Sequence, residues 1–192
     1  MATGVPPRRT NKKKVPIYIT YEGKLEADKI INKEFGKYIL KKKVNGEGNN
    51  EFFFGDNIDV LLFLLHEKKL AGKVKLVYID PPFATESSFL NRNQTHAYSD
   101  EMVGAEFVEF LRERIILLYE LLSDDGSMYL HLDSKMAFTM KLIMDEIFGE
   151  KNCRAFITRK KCSTKNYTRN TYGKISDYVM FYSKTDKFIW NR

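Results

Sequence analysis

The chain is poor in residues that cross-link or metallate small folds. It has 2 cysteines, Cys153 and Cys162, and 3 histidines, His66, His96 and His131, scattered over 192 residues. Those numbers exclude a disulfide framework, and no Cys/His spacing matches a zinc site. Each histidine is expected in a solvated or core role rather than a catalytic one. No stretch has the h-region of a signal peptide or an apolar run long enough to span a bilayer, so a cytoplasmic protein without a membrane partner is expected. No Gly-x-x-x-x-Gly-Lys-[Ser/Thr] loop is present, which removes the nucleotide hydrolases that place an Asp after an apolar strand to serve Mg²⁺. Acidic residues are in the minority, 25 against 32 basic ones, and the formal charge of +7 favours a polyanionic partner.

What is present reads as one globular α/β domain. Hydrophobic residues make up 43% of the chain and charged residues 30%, enough for a real core but at a length too short for two domains. The run Val74-Lys-Leu-Val-Tyr-Ile79 has strand length and β-branched content, as in a strand buried on both faces of a parallel sheet. Asp80 follows at its carboxyl end, the edge where open α/β sheets place ligands. Pro81 and Pro82 then forbid further ladder pairing and stiffen the turn that ends in Phe83. By itself this tetrapeptide also fits a plain structural turn.

The chemistry it suits is specific. The exocyclic amine of a nucleobase is a poor nucleophile because its lone pair is delocalised into the ring. Acceptors at the Asp80 side chain and the Pro81 carbonyl would hold both amine hydrogens and favour a pyramidal nitrogen. Phe83 would stack on the base, which must leave the duplex to be reached. Pro82 would keep the corner preorganised.

Asp80-Pro-Pro-Phe83 resembles the catalytic motif of S-adenosylmethionine-dependent DNA amino-methyltransferases. Its surroundings are similar to the beta-class adenine-N6 enzymes, especially the modification subunits of type III restriction systems. The resemblance is carried by Phe54-Gly-Asp-Asn-Ile-Asp-Val-Leu61, Tyr78-Ile-Asp-Pro-Pro-Phe83, Ala97-Tyr-Ser-Asp100, Leu121-Leu-Ser-Asp-Asp-Gly-Ser127, Ile143-Met-Asp-Glu-Ile-Phe-Gly149 and Asp177-Tyr-Val-Met-Phe-Tyr-Ser-Lys184. It implies a Rossmann-like methyltransferase fold, with a mostly parallel sheet flanked by helices. It also implies S-adenosylmethionine as cofactor, held near Asp56 and Asp80, and DNA as substrate. The implied partners are a restriction subunit or a second methyltransferase copy. Two departures accompany it. Ala84-Thr85-Glu86 stands where such enzymes often carry Asn-Thr-Gly, and the glycine-rich Asp-Pro-Phe-x-Gly-Ser-Gly cofactor turn is not found in these residues. The chain is therefore expected to be an amino-terminal part of such an enzyme, binding cofactor poorly alone. A catalytically silent DNA-binding or assembly module is the alternative, and an RNA methyltransferase a weaker one.

Residues 1–16 read as a basic, disordered arm and 17–192 as the partial catalytic domain. Within the domain, Ile17–Tyr21 and Phe52–Phe54 are expected as short strands, and 26–42 as a helix. A second helix over 57–68 should present Val60, Leu61, Leu64 and Leu65 to the sheet, with Asp56 either its cap or a cofactor contact, or both. Residues 84–101, which include Arg92, are expected as a long polar loop beside the site, and the resemblance implies that this segment closes over the target base and contacts DNA. A helix over 105–122 ends at a turn on Gly126, a strand follows over 127–132, and a helix over 135–148 stops at Gly149. Asp133 ends a strand on the ligand edge, where it either faces the site or, as is more expected, caps that last helix. The acid-free segment 152–174 offers Arg159, Lys160, Lys161, Lys165 and Arg169 for DNA phosphates, interleaved with Tyr167 and Tyr172. Tyr178–Tyr182 should be an antiparallel edge strand.

Overall fold

A computed structural model describes residues 17–39, 50–81, 88–90, 96–99, 104–161 and 175–191. Its helices are α1 (Ala27–Ile31), α2 (Asn57–His66), α3 (Ala105–Leu121) and α4 (Ala137–Phe148). Its strands are β1 (Val74–Ile79), β2 (Ser88–Leu90), β3 (His96–Ser99), β4 (Leu122–Asp133), β5 (Cys153–Lys160) and β6 (Ser176–Ser183). The main sheet has the order β1-β4-β6-β5, and β2 pairs with β3 in a separate ribbon inside the span expected as a loop. β1 and β4 are parallel, joined through α3, whereas β4–β6 and β5–β6 are antiparallel. The fold is thus α/β with a helix-flanked sheet, but the described sheet is mixed rather than mostly parallel. β6 is antiparallel as expected yet internal. The edge position belongs to β5, a strand hidden in what reads as a basic segment.

Alternation along the strands divides the sheet into two unlike faces. Val77 of β1, Met128, Leu130 and Leu132 of β4, and Met180 and Tyr182 of β6 bury themselves against α3 and α4. α3 is apolar on more than one side. Its Phe107, Leu111 and Ile115 face the sheet, while Ile116, Leu117 and Leu121 meet Ile30 of α1 and Leu61 and Leu62 of α2. α2 therefore packs chiefly on α3, not on the sheet as its apolar spacing suggested. On the opposite sheet face, Leu76 and Tyr78 are each 61% exposed. β1 is consequently not buried on both faces. Among the described residues that second face is covered around Phe181 by Tyr129, Phe188 and Trp190, and it also holds the buried His131 and Asp177.

The amino-terminal segment departs most from expectation. Residues 17–21 and 52–54 form no strand, and in the described part of the helix expected over 26–42, residues 26–39, only the single turn of α1 is helical. Gly36 sits in the middle of that span, where glycine costs a helix about 1 kcal/mol relative to alanine. The aromatic residues around it are used in extended chain instead: Phe35 stacks on His66, and Tyr38 packs on Phe53 and Phe63. Polar straps hold this segment to α3 and α4. The Leu25 amide and the Tyr21 hydroxyl donate to Glu109, Lys24 to Glu146, and Lys33 pairs with Glu113.

Gly126 has a role other than ending a helix. β4 begins at Leu122, and its pairing with β1 slips between Val74↔Leu122 and Leu76↔Ser127. In that irregularity a Cβ on Gly126 would lie 2.8 Å from the Val74 carbonyl oxygen and 2.9 Å from that of Ser123. Both obstacles are backbone, so neither can swing aside. Lys75 closes the same stretch by donating to Asp125 at 2.6 Å, which together with Ser123 holds that carboxyl below its ordinary pKa. Gly126→Ala should destabilise the fold by about 1–3 kcal/mol in urea unfolding. An unchanged midpoint would mean that the strands do not approach this closely.

Candidate active site

The register of β1 against β4 builds the site. On β1, Val77 is buried in the core while Leu76 and Tyr78 lie on the open face, so Asp80 continues the open-face series beyond the strand's end. Tyr78 pairs with Tyr129, which brings Asp80 level with His131 two residues further along. Antiparallel pairing then sets Val179 opposite His131, and β5 sets Arg159 opposite Asp177. Four strands thereby converge on one small polar group at the carboxyl end of β1.

Within it, the Asp80 carboxylate approaches His131 Nδ1 at 3.1 Å, and the side chain remains 55% exposed. Pro81 beside it is buried. On its other side, His131 Nε2 lies 3.8 Å from Asp177. Asp177 is only 3% exposed, and a buried carboxylate needs compensation. Lys161 Nζ supplies it at 2.8 Å and an Arg159 guanidinium nitrogen at 3.3 Å. Arg159 and Lys161, expected as phosphate contacts, are therefore first of all partners of Asp177, although the Arg159 side chain keeps 56% of its surface exposed. Lys160 alternates to the opposite sheet face and pairs with Ser176 in the ladder. Pro82, Phe83, Arg92, Lys165 and Arg169 lie outside the described residues.

His131 was expected in a solvated or core role. It is instead 7% exposed and wedged between two carboxylates, outside the apolar core. The available signal was its place in Tyr129-Leu-His-Leu-Asp133, which sends His131 to the face opposite Leu130 and Leu132. Asp133 takes no part in this group. Its carboxylate accepts from the Lys135 and Met136 amides in the turn before α4, close to the capping role expected.

Asp56 belongs to another cleft. As expected for a cap, its carboxylate accepts the Ile58 amide at 2.8 Å at the start of α2. Arg114 on α3 reaches the same carboxylate at 3.2 Å, donates to Asn57, and lays its guanidinium 3.5 Å from the Phe110 ring centre. Together with Ile58, Asp59 and Glu113 these residues line a cleft of 690 Å³, and Asp80 is not among its lining residues. No metal-binding cluster and no helix long and apolar enough to cross a membrane occurs among the described residues.

The model of a DNA methylase family of N6 and N4 type matches residues 74–192, more than half of the chain, beginning at the first residue of β1. The chain belongs to this DNA methylase family. It is 40% identical over 181 residues to the type II methyltransferase M.EcaI of Enterobacter cloacae, covering 92% of this chain and 39% of that protein. It is 30% identical over 166 residues to the StyLTI Mod subunit, a type III restriction-modification enzyme of Salmonella typhimurium, covering 73% of this chain and 25% of that one. The chain therefore spans well under half the length of these relatives. Among solved structures it is similar to an M1.HpyAVI–SAM complex, with a TM-score of 0.47 and 14% identity over 73% of this chain and 57% of that one, a likeness that carries no weight for function.

Asp80, His131 and Asp177 fall inside the matched region, and Asp56 precedes it. Arg114 is the residue that ties the Asp56 cleft to α3. Arg114→Met should cost about 1–3 kcal/mol in chemical denaturation, since it strips partners from both Asp56 and Asn57. Asp56→Asn should cost much less, because asparagine also caps helices well. Equal losses in the two variants would contradict this assignment.

Proposed function

We propose that the chain forms the amine-gripping part of a DNA adenine-N6 methyltransferase that uses S-adenosylmethionine within a restriction-modification system. The observation that carries the reading is the Asp80 carboxylate, half exposed on the open sheet face beside buried Pro81 at the carboxyl end of β1. Asp80 and the Pro81 carbonyl accept the two hydrogens of an extruded adenine amine, holding its nitrogen pyramidal with the lone pair freed from the ring. S-adenosylmethionine, when bound, would supply the methyl group from its sulfonium, whose sulfur would keep the electron pair of the broken S–C bond and leave as a neutral thioether. As the nitrogen gains its fourth bond it becomes cationic, and the adjacent Asp80 carboxylate favours that charge. The extra proton leaves after the attack. Pro82 stiffens the corner and Phe83 stacks on the base.

The residues around Asp56 fit the cofactor's nucleoside end. Asp56, Asp59 and Glu113 offer acceptors for its hydroxyl and amine donors, next to the Phe110 ring. Asp56 and Asp80 would hold the cofactor from its two ends. Arg159, Lys160 and Lys161, with Arg92, Lys165 and Arg169 elsewhere in the sequence, supply phosphate contacts. Arg159 also retains the exposed surface that such contacts need. The segment 152–174 is accordingly assigned to DNA. The wider protein acts in the cytoplasm with a restriction subunit or a second methyltransferase copy.

The test is transfer of labelled methyl from S-adenosylmethionine to duplex DNA. Asp80→Ala should lower turnover roughly 100-fold or more, with the unfolding midpoint nearly unchanged because the side chain is exposed. Normal turnover by that variant refutes the assignment. Measurable methyl transfer by this chain alone would argue against a silent binding module.

A further inference from the structure

The proposed chemistry needs a carboxylate held still, and Asp80 is poorly placed to hold itself. It lies in irregular chain just past β1, with more than half of its side chain exposed. His131 is in the opposite situation. It sits on β4, an internal strand paired on both sides by β1 and β6, and its ring is nearly inaccessible to solvent. The groups facing that ring from neighbouring strands are Asp80 on the β1 side and Asp177 on β6, the latter fixed in turn by Arg159 and Lys161. This makes a relay of fixed side chains that runs from the basic edge of the sheet to the proposed catalytic corner.

We propose that His131 is the positioning residue for Asp80: its Nδ1 holds one carboxylate oxygen, leaving the other for the incoming amine. This rests on the reading of Asp80 given above. A rotation of the carboxylate by one rotamer would move its oxygens away from the amine, and orientation at this level is worth large factors in rate. Asp177 lies 3.8 Å from Nε2 on the far side of the ring, so a turned imidazole would lose its place between the two carboxylates. Arg159 and Lys161 thus act at a distance, by holding the residue that holds the ring.

Two measurements on the full chain test this. In the ring-nitrogen NMR spectrum, Asp80→Asn should shift the His131 signals and leave those of His66, whose ring faces the Ile31 carbonyl, in place. Unmoved His131 signals overturn the proposal whether or not the chain methylates DNA. In methyl transfer, His131→Ala should lower kcat by roughly 10- to 100-fold with KM for DNA changed by less than about 2-fold. His131→Asn, whose amide nitrogen stands near the place of Nδ1, should recover part of that loss. In an Asp80→Asn background, His131→Ala should cost almost nothing more. Full activity of His131→Ala, failure of the asparagine rescue, or undiminished cost in the Asp80→Asn background would each overturn the role. The transfer assays use a complete enzyme that carries this segment, and if that unsubstituted enzyme transfers no methyl, the reading of Asp80 fails and the catalytic part of this inference falls with it. The ring spectrum then separates that outcome from loss of the contact itself.

Discussion

Parallel pairing of β1 with β4 is the constraint from which the rest of the molecule follows. Because Tyr78 lies beside Tyr129, the first residue past the end of β1's ladder, Asp80, is delivered next to His131. A register slip of one residue would send Asp80 to the core side, where a carboxylate could not remain charged without a partner. That register is fixed from both directions. Val77 must enter the core with Met128 and Leu130, and at the other end Gly126 allows the backbones of β1 and β4 to approach closely.

The helices reinforce this arrangement unequally. α3, the connection between β1 and β4, is buried on several sides and carries the charges Arg112, Glu113 and Arg114 into contact with the amino-terminal segment and α2. It therefore binds two structures together: the sheet, with its polar corner, and the Asp56 cleft. The open face of the sheet is the complement of this one-sided packing. Its apolar residues, Leu76 and Tyr78, lead directly toward Asp80 along the same strand.

How much of this could be read in the sequence depended on how local the cause was. Strand β1 and its end at Asp80 were legible because an apolar run and the proline that follows determine them locally. Helices α3 and α4 and the stop at Gly149, which has φ +85°, were legible for the same reason. The cap at Asp56 was also correct, but its tie to Arg114 was not visible, since 58 positions separate the two. His131, Asp177 and strand β5 were missed for a shared reason: each is defined by cross-strand pairing, and charge along β5 masks its alternation. The long helix over 26–42 failed because Gly36 weakens it and because Phe35 and Tyr38 find better partners on His66, Phe53 and Phe63.

The most direct measurement of the central claim is a structure of the protein with duplex DNA and a non-reactive analogue of S-adenosylmethionine. The account predicts one adenine swung out of the helix, its amine nitrogen about 3 Å from both the Asp80 carboxylate and the Pro81 carbonyl oxygen. It also predicts His131 still in contact with Asp80. A base left stacked in the duplex, or extruded to a place that Asp80 does not reach, would contradict it.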